Sequence, residues 1–190
     1  VFLNEIPGIF LERKIMMKKL MMLFLVLAFM AGSSAAQVVI TTPAELQNIA
    51  NDVAGDYVLG NDIDLTGVTF TSISDFTGTF DGDMHIINGL STIGGTRANG
   101  LFGKIKEGSV VKNVGLTNVD IAPAVEEAWY CAALVGDCFG TVSKCWVDGG
   151  TVTLAKGGAN CGTLIGLVRQ TGSVTDCYSN ADLILQPESA

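Results

Sequence analysis

Two short motifs recur together three times in the chain, and this repetition constrains the fold more than any other feature. The first motif ends in glycine and occupies residues 100–103, 133–136 and 163–166. The second motif begins with glycine and occupies residues 108–114, 140–146 and 172–178. The second motif advances by 32 residues each time. Linked motifs at a nearly fixed period indicate a repeat architecture. A unit this small cannot bury its apolar face alone, so neighbouring units must stack around a shared core.

The segments between the glycines predict β-structure. They are short and β-branched, as in Ile63-Asp64-Leu65 and Ile86-Ile87, and turns rich in Gly, Asn and Asp separate them. Short strands of this kind also occur in sandwiches and barrels, but those folds do not require the same residues at a fixed step. A parallel β-helix does, because it places equivalent residues about 4.8 Å apart on successive coils. We predict an all-β, right-handed parallel β-helix (solenoid) with three short strands per coil.

A short helix is predicted ahead of the repeats. Thr42 can serve as N-cap, Pro43 stands at the first helical position and Glu45 at the third, which is the pattern of a capping box. Such a helix can cover the open end of a stack of strands, as solenoids require. The apolar residues expected on its buried face are Leu46, Ile49 and Ala50.

The first residues have the pattern of an export signal. Lys18 and Lys19 precede an apolar run over 20–31, and small residues follow it up to Ala36. A membrane anchor is the alternative, but the run is shorter than the roughly 20 apolar residues that span a bilayer. We predict a protein that is secreted or at the cell surface, with no membrane span after cleavage. The predicted segments are 1–16 upstream of the true start, 17–36 signal peptide, 37–60 N-terminal cap and 61–190 repeats, with units near 100–131, 133–161 and 163–185.

The charge of the chain argues against nucleic acid as a partner. The formal net charge is −8, and removing residues 1–36, which carry four Lys or Arg and two Glu, leaves about −10. The seven remaining Lys and Arg are scattered from Arg97 to Arg169. No basic stripe is therefore evident that could neutralise a phosphate backbone.

The repeats resemble those of bacterial GLUG-motif proteins. The resemblance rests on Gly100-Leu101-Phe102-Gly103 and on the preceding segments 57–65 and 76–82, although Ala133 and Thr163 replace the first glycine in later units. Proteins of that family are secreted or surface β-helix modules, found in adhesins and beside the peptidase domains of immunoglobulin A1 proteases. The resemblance implies a non-enzymatic binding or adhesion module that contacts a surface glycan or an extracellular protein. If the chain is a fragment, its open sheet edge would accept further β-helix coils.

No catalytic residue and no cofactor is predicted. A zinc peptidase needs a His-Glu-x-x-His helix, and the chain has one histidine, His85, which we assign to a turn. The alternative function is a calcium-dependent, carbohydrate-active β-helix enzyme resembling polysaccharide lyases. Its weak calcium candidates are aspartates on turns, a position that Asp also favours for backbone hydrogen bonding. These candidates are Asp62, Asp64, Asp81 and Asp83.

Four aromatic residues are the candidate ligand contacts, because large flat rings suit sugar or protein surfaces. Trp129 and Tyr130 end the segment 122–130, which we interpret as a loop that protrudes from the stack. Trp146 and Tyr178 are equivalent by the 32-residue step. Their orientation stays open, and we favour core packing because Val114 occupies the same position in the first repeat.

The cysteines also recur by position. Cys145 corresponds to Cys177, and Cys131 corresponds to Cys161, whereas Cys138 has no equivalent. Stacked neighbours are close enough for disulfides in an oxidising medium, but in-register side chains point in parallel and fit the disulfide dihedral poorly. We predict buried thiol stacks, with disulfides as the alternative.

Overall fold

The computed structural model describes residues 36–93, 97–122, 129–154 and 160–185. The predicted signal peptide lies outside these residues except for Ala36. The chain divides into two units, and every described residue belongs to the one that spans residues 36–190. The described residues are mostly β-strand with one short α-helix, which confirms the all-β class.

The secondary-structure elements are short throughout. The α-helix, α1, spans Pro43–Asn48, and a 3-10 turn follows it at Ile49–Asn51. In chain order the strands are β1 Val38–Ile40, β2 Asp56–Leu59, β3 Ile63–Asp64, β4 Thr79–Asp81, β5 Ile86–Asn88, β6 Ser91–Ile93, β7 Ala98–Asn99, β8 Phe102–Ile105, β9 Val110–Lys112, β10 Gly115–Ala122, β11 Tyr130–Cys131, β12 Val135–Cys138, β13 Thr141–Ser143, β14 Trp146–Leu154, β15 Asn160–Cys161, β16 Ile165–Val168, β17 Ser173–Thr175, β18 Tyr178–Ser179 and β19 Asp182–Leu185.

Hydrogen bonds arrange these strands into four sheets in which every strand pair is parallel. Sheet A contains β1, β2, β4, β9, β13 and β17; sheet B contains β3, β5, β10, β14 and β18, with β6 and β19 beside them; sheet C contains β8, β12 and β16; sheet D contains β7, β11 and β15. Each of the three later repeats visits sheets D, C, A and B in that order. The prediction of three strands per repeat is therefore wrong. The additional strand, in sheet D, has only two residues, too few to show alternation in the sequence.

The register of sheet A corrects the predicted period. Val110 pairs with Thr141, which pairs in turn with Ser173, so the two steps are 31 and 32 residues. The uniform step of 32 is wrong for the first pair. β8 and β12 are 33 residues apart in register, and the connection that follows shortens from four residues to two, so the step in sheet A is 31. The matching glycines Gly108 and Gly140 are consequently not equivalent in the structure.

The N-terminus of α1 has the predicted capping box. The hydroxyl of Thr42 accepts a hydrogen bond from the backbone N–H of Glu45 at 3.3 Å. The carboxylate of Glu45 accepts in return from the backbone N–H of Thr42 at 3.1 Å. The prediction of this helix start is confirmed, because both reciprocal bonds that define the motif are present.

The rest of α1 covers the first layer of strands. Leu46 and Ile49 are fully buried, whereas Ala50 is exposed because the α-helix gives way to the 3-10 turn before that residue. The side-chain amide of Gln47 donates to the backbone carbonyl of Thr71 at 3.0 Å and accepts from its N–H at 2.8 Å. One polar side chain thus satisfies both backbone groups of a residue in that layer.

Apolar side chains from all four sheets fill one core. Phe76, Phe80 and Phe102 are fully buried, and the Phe102 ring centroid lies 4.9 Å from that of Phe76 and 5.4 Å from that of Phe80. In the last repeat, Ile165 and Val174 pack against this core but are only half-buried. In the described part of the chain, no helix has the length and apolarity needed to cross a bilayer.

Candidate ligand-binding cleft

A ladder of glycines brings sheets C and D into close contact. Gly103 and Gly136 hold register-equivalent positions in β8 and β12, as the second glycine of the repeated motif. A Cβ atom on Gly136 would lie 2.7 Å from the carbonyl oxygen of Gly103 and 2.9 Å from that of Tyr130, and backbone atoms cannot move aside as a side chain can. The recurring glycine is therefore required by packing between the two sheets.

Trp129 and Tyr130 lie beside this junction and not in a protruding loop. Tyr130 is the first residue of β11, and the backbone N–H of Trp129 donates to the carbonyl of Arg97 at 2.9 Å. The loop interpretation is wrong for these two residues. Tyr130 pairs with Ala98 in sheet D. Trp129, directly before β11, makes backbone hydrogen bonds to Arg97 and Asn160 in the neighbouring repeats. Residues 123–128 lie outside the described part. Trp129 is 41% exposed, and the guanidinium carbon of Arg97 lies 5.1 Å from its ring centroid.

Charged side chains line the neighbouring edge of sheet C. Lys104 pairs in register with Asp137, and two bridges between flanking residues place Asp75 opposite Lys104 on the other side. The ammonium of Lys104 lies 4.0 Å from the Asp75 carboxylate, and that of Lys106 lies 3.1 Å from it. Asp75, Lys104 and Asp137 therefore form a row across neighbouring strands, in which acidic and basic residues alternate.

Arg169 lies at the end of this row, beside Asp137. Its Nε donates to Oδ1 of Asp137 at 2.6 Å and its Nη2 to Oδ2 at 3.3 Å, and Asp137 is only 5% exposed. The guanidinium carbon lies 5.0 Å from the ring centroid of Tyr130 and 5.3 Å from that of Phe139. The Asp137 hydrogen bond holds the pKa of Arg169 above its ordinary value, so this cation stays protonated and fixed in place.

Together these residues form a cleft, which we call the cation–aromatic cleft. Its volume is about 520 Å³, a size typical of small-ligand sites. Its lining consists of Ser74, Asp75, Arg97, Ala98, Lys104, Trp129, Tyr130, Asp137 and Arg169.

The sequence pattern indicated the two aromatic residues of the cleft but not its charged residues. Of the seven Lys and Arg that follow residue 36, three line the cleft, namely Arg97, Lys104 and Arg169. They looked scattered because register, not sequence distance, brings them together. A signal was nevertheless present, since the residue after the motif's second glycine is charged in two repeats, as Lys104 and Asp137.

Trp146 and Tyr178 face outward on sheet B and do not line the cleft. They are register partners, Tyr178 is 60% exposed, and the indole of Trp146 lies against the backbone of Gly115. The preference for core packing is wrong because the residue in register with Trp146 is Gly115 and not Val114. Val114 is buried, as is Cys145 beside Trp146.

Three of the four candidate calcium aspartates are occupied by hydrogen bonds within the fold. Oδ1 of Asp64 accepts from the N–H and hydroxyl of Thr66 and from the amide of Asn88, which holds its pKa below the ordinary value. Asp62 accepts from the backbone N–H of Ile86 and from His85, and these bonds lower its pKa too.

The Asp81 carboxylate also accepts hydrogen bonds within the fold. It accepts from the Asn113 amide and the Asp83 N–H, and its second oxygen lies 3.0 Å from Lys112. Burial alone would raise the pKa of Asp81, but these bonds outweigh burial and lower it. Asp83 contributes its backbone to this turn, where its φ is 45°. Across the described residues, no group of three His, Cys, Asp or Glu side chains is placed to hold a metal ion.

The cysteines occupy the register positions that the repeat predicts. Cys131 pairs with Cys161, and the backbone N–H of Cys145 lies 3.4 Å from the sulfur of Cys177. Cys145 is buried and Cys177 half-buried, both with free thiol groups in the structure, and the choice between a thiol stack and a disulfide stays a prediction. Burial raises the pKa of Cys145 to about 12 and that of Cys138 to about 11, so both thiols stay protonated and unreactive at neutral pH.

Comparison with known proteins shows similarity to part of a much longer protein. The chain is 35% identical over 164 residues to halomucin of Haloquadratum walsbyi (strain DSM 16790 / HBSQ001). The similarity covers 79% of the chain but only 2% of halomucin. No protein-family model and no solved structure matches the chain.

Proposed function

We propose that this chain is a secreted or cell-surface binding module that is not an enzyme, built as a right-handed parallel β-helix of the GLUG-motif type. Several observations support the fold. All strand pairs are parallel, successive repeats visit the four sheets in the same order, and the motif's second glycine recurs where two sheets meet. Similarity to a protein named halomucin is consistent with an extracellular surface role.

The cation–aromatic cleft carries the proposal for binding. Its aromatic rings and charged groups come from successive repeats, so residues as distant in sequence as Arg97 and Arg169 line the same cleft. An exposed tryptophan beside fixed polar groups is typical of a recognition site, because the ring supplies contact area and the polar groups supply orientation. A surface glycan or an extracellular protein is the proposed ligand.

The chemistry of the cleft favours binding over turnover. Arg169 is held protonated by Asp137, so it is a poor general base, and the Asp137 carboxylate is already occupied by the guanidinium. His85 is paired with Asp62 at 3.1 Å and does not line the cleft. Three of the four aspartates that the rival, a calcium-dependent carbohydrate-active enzyme, would use already accept hydrogen bonds within the fold.

The test is a glycan and extracellular-protein binding array with the purified full chain, run with calcium and with chelator. Bound sugars are assayed for cleavage products. We expect binding without turnover in both conditions. Turnover that is lost on chelation would overturn the proposal in favour of the enzyme.

The double variant Trp129→Ala, Tyr130→Ala locates the binding site. It should weaken binding at least tenfold, because aromatic contacts of this size contribute a kcal/mol or more. Tyr178→Ala is the matched control, since it removes an exposed aromatic ring outside the cleft. Equal effects of the two variants would reject the cleft as the site.

A further inference from the structure

We propose that the cation–aromatic cleft recognises an acidic glycan, through a sugar carboxylate or sulfate group that pairs with Arg97 and Lys104 while the sugar ring packs on Trp129. This inference rests on the proposed binding function and adds the ligand class. The chain is strongly acidic, so the concentration of its cationic side chains at one site indicates a function for them there.

The charge distribution supplies the first argument. Residues 37–190 contain 7 Lys and Arg against 17 Asp and Glu, a balance of −10. The cleft lining reverses this sign, with three cations against Asp75 and Asp137. Lys106, which pairs with Asp75 at 3.1 Å, adds a fourth cation at the edge. Clustered cations repel one another, and an anionic ligand relieves that repulsion.

The individual pairings supply the second argument. Asp137 is neutralised by the two hydrogen bonds from Arg169, and Asp75 by Lys106. Among the described residues, the guanidinium of Arg97 contacts the ring of Trp129 and pairs with no carboxylate. Lys104 is 4.0 Å from Asp75, longer than a hydrogen bond, and its ammonium lies 5.0 Å from the Phe139 ring. Arg97 and Lys104 thus retain donors for an external anion.

The shape and chemistry of the lining favour a sugar over a peptide. Apart from Ala98, the lining residues are aromatic, charged or hydroxyl-bearing, so the cleft offers little aliphatic surface for peptide side chains. A sugar presents hydroxyl groups and flat C–H faces, which match donors beside an indole ring. The volume of about 520 Å³ lies in the range of small-ligand sites, as one or two sugar units require.

The test uses polymers that differ only in charge. Polygalacturonate is compared with its carboxyl-reduced form, and dextran sulfate with dextran, by calorimetry on the full chain at low and high salt. We expect the acidic member of at least one pair to bind at least tenfold more tightly at low salt, with the difference shrinking at high salt. The polymer pair that shows this difference in affinity identifies whether the cleft recognises a carboxylate or a sulfate. Failure of both acidic polymers to bind more tightly than their neutral forms overturns the inference.

Two single variants assign the anion contacts. Arg97→Gln and Lys104→Gln should each weaken binding of the acidic polymer about tenfold, because a charge-assisted hydrogen bond is lost. Lys144→Gln is the matched control, since it removes an exposed lysine from a turn outside the cleft. Arg97→Lys should recover part of the loss by restoring the charge without the planar group. Equal loss in the control would overturn the assignment, because it would show an effect of net charge alone.

The outcomes separate this inference from the proposed function. Neutral polymer that binds as well as acidic polymer, with Trp129→Ala weakening both, rejects the acidic ligand and keeps the binding module. Polyglutamate that binds more tightly than either acidic polysaccharide rejects the glycan and keeps the module. Cleavage of a polymer rejects the module itself.

Discussion

The cation–aromatic cleft and the aspartate turns, by which we mean Asp62, Asp64 and Asp81 with their hydrogen-bond partners, use charge in opposite ways. In the turns, each carboxylate accepts hydrogen bonds from the next repeat or from its own turn. In the cleft, Arg97 and Lys104 lie over aromatic rings, contacts that leave their N–H groups able to donate elsewhere.

The difference teaches which charged residues of a stacked fold are available to a ligand. For Asp64 and Arg97, the residue found at the same position one repeat away makes the difference. An aspartate whose register neighbour is an amide becomes part of the structure, as Asp64 does beside Asn88. A cation whose neighbour one repeat away is an aromatic ring keeps its donors, as Arg97 does beside Trp129.

The substitution Gly136→Ala should have the largest effect, because it acts on the wall of the cleft. The added Cβ would lie 2.7 Å from the Gly103 carbonyl oxygen and 2.9 Å from that of Tyr130, so sheets C and D must separate. We expect a loss of about 3 kcal/mol in the free energy of unfolding, as overpacking against backbone gives. Urea unfolding measures this loss, and ligand affinity should fall with it.

Gly60→Ala is the control for that substitution. Its nearest neighbour is the Val39 side chain at 2.7 Å, and Val39 is 55% exposed and free to change rotamer. Gly60→Ala should therefore cost less than about 1 kcal/mol. Similar losses for the two variants would contradict the role assigned to the glycine ladder.

Asp81→Ala comes next and should separate stability from binding. It leaves the Asn113 amide and the Lys112 ammonium without their acceptor, at a cost of about 1–3 kcal/mol. Asp81→Asn keeps an acceptor oxygen and should cost less. Neither variant should change affinity for the cleft ligand, as calorimetry would measure, and a tenfold weakening would contradict the division between the two regions.

The pH dependence of stability should report the turns as a group. Asp62, Asp64 and Asp81 all have a pKa below the ordinary 3.8 in the folded protein. A depressed folded pKa contributes stability above the unfolded pKa, and that contribution is lost as pH falls towards the folded value. The urea midpoint should therefore fall as the pH drops below about 4, and less steeply in Asp64→Asn. A midpoint that stays constant down to pH 3, or a slope that Asp64→Asn leaves unchanged, would contradict this account.

The sequence predicted the features that rest on local chemistry. The capping box follows from Thr42 and Glu45 three residues apart, and the all-β class follows from short β-branched segments between glycines. Buried Cys145 beside Cys177 follows from the repeat, because stacked equivalents share an environment. Each of these predictions needs only a few residues or the approximate period.

The features that the sequence did not predict depend on register. A shift of one residue in the first step exchanged Val114 for Gly115 as the partner of Trp146, and in a strand this reverses which side faces the core. The shift is the net result of a 33-residue step between β8 and β12 and a connection that is two residues shorter after β12 than after β8. The charges of the cleft were missed for a related reason, since Arg97 and Arg169 line one site only when the repeats that carry them are stacked.

Lys144→Asn should have the smallest effect and the opposite sign. Lys144 has a φ of 53°, and the residues at the same turn in the neighbouring repeats, Asn113 and Asp176, have φ values of 54° and 55°. Asn and Asp tolerate this left-handed conformation better than Lys, so the variant should gain about 0.5–1 kcal/mol. The Asn113 amide donates to Asp81, the register partner of Lys112. At residue 144 the corresponding position is held by Lys112, the register partner of Ser143, so the new amide gains no carboxylate acceptor and the stabilisation comes from the backbone. Lys144→Ala should give no gain in urea unfolding, and equal stabilisation by both variants would instead point to removal of the charge.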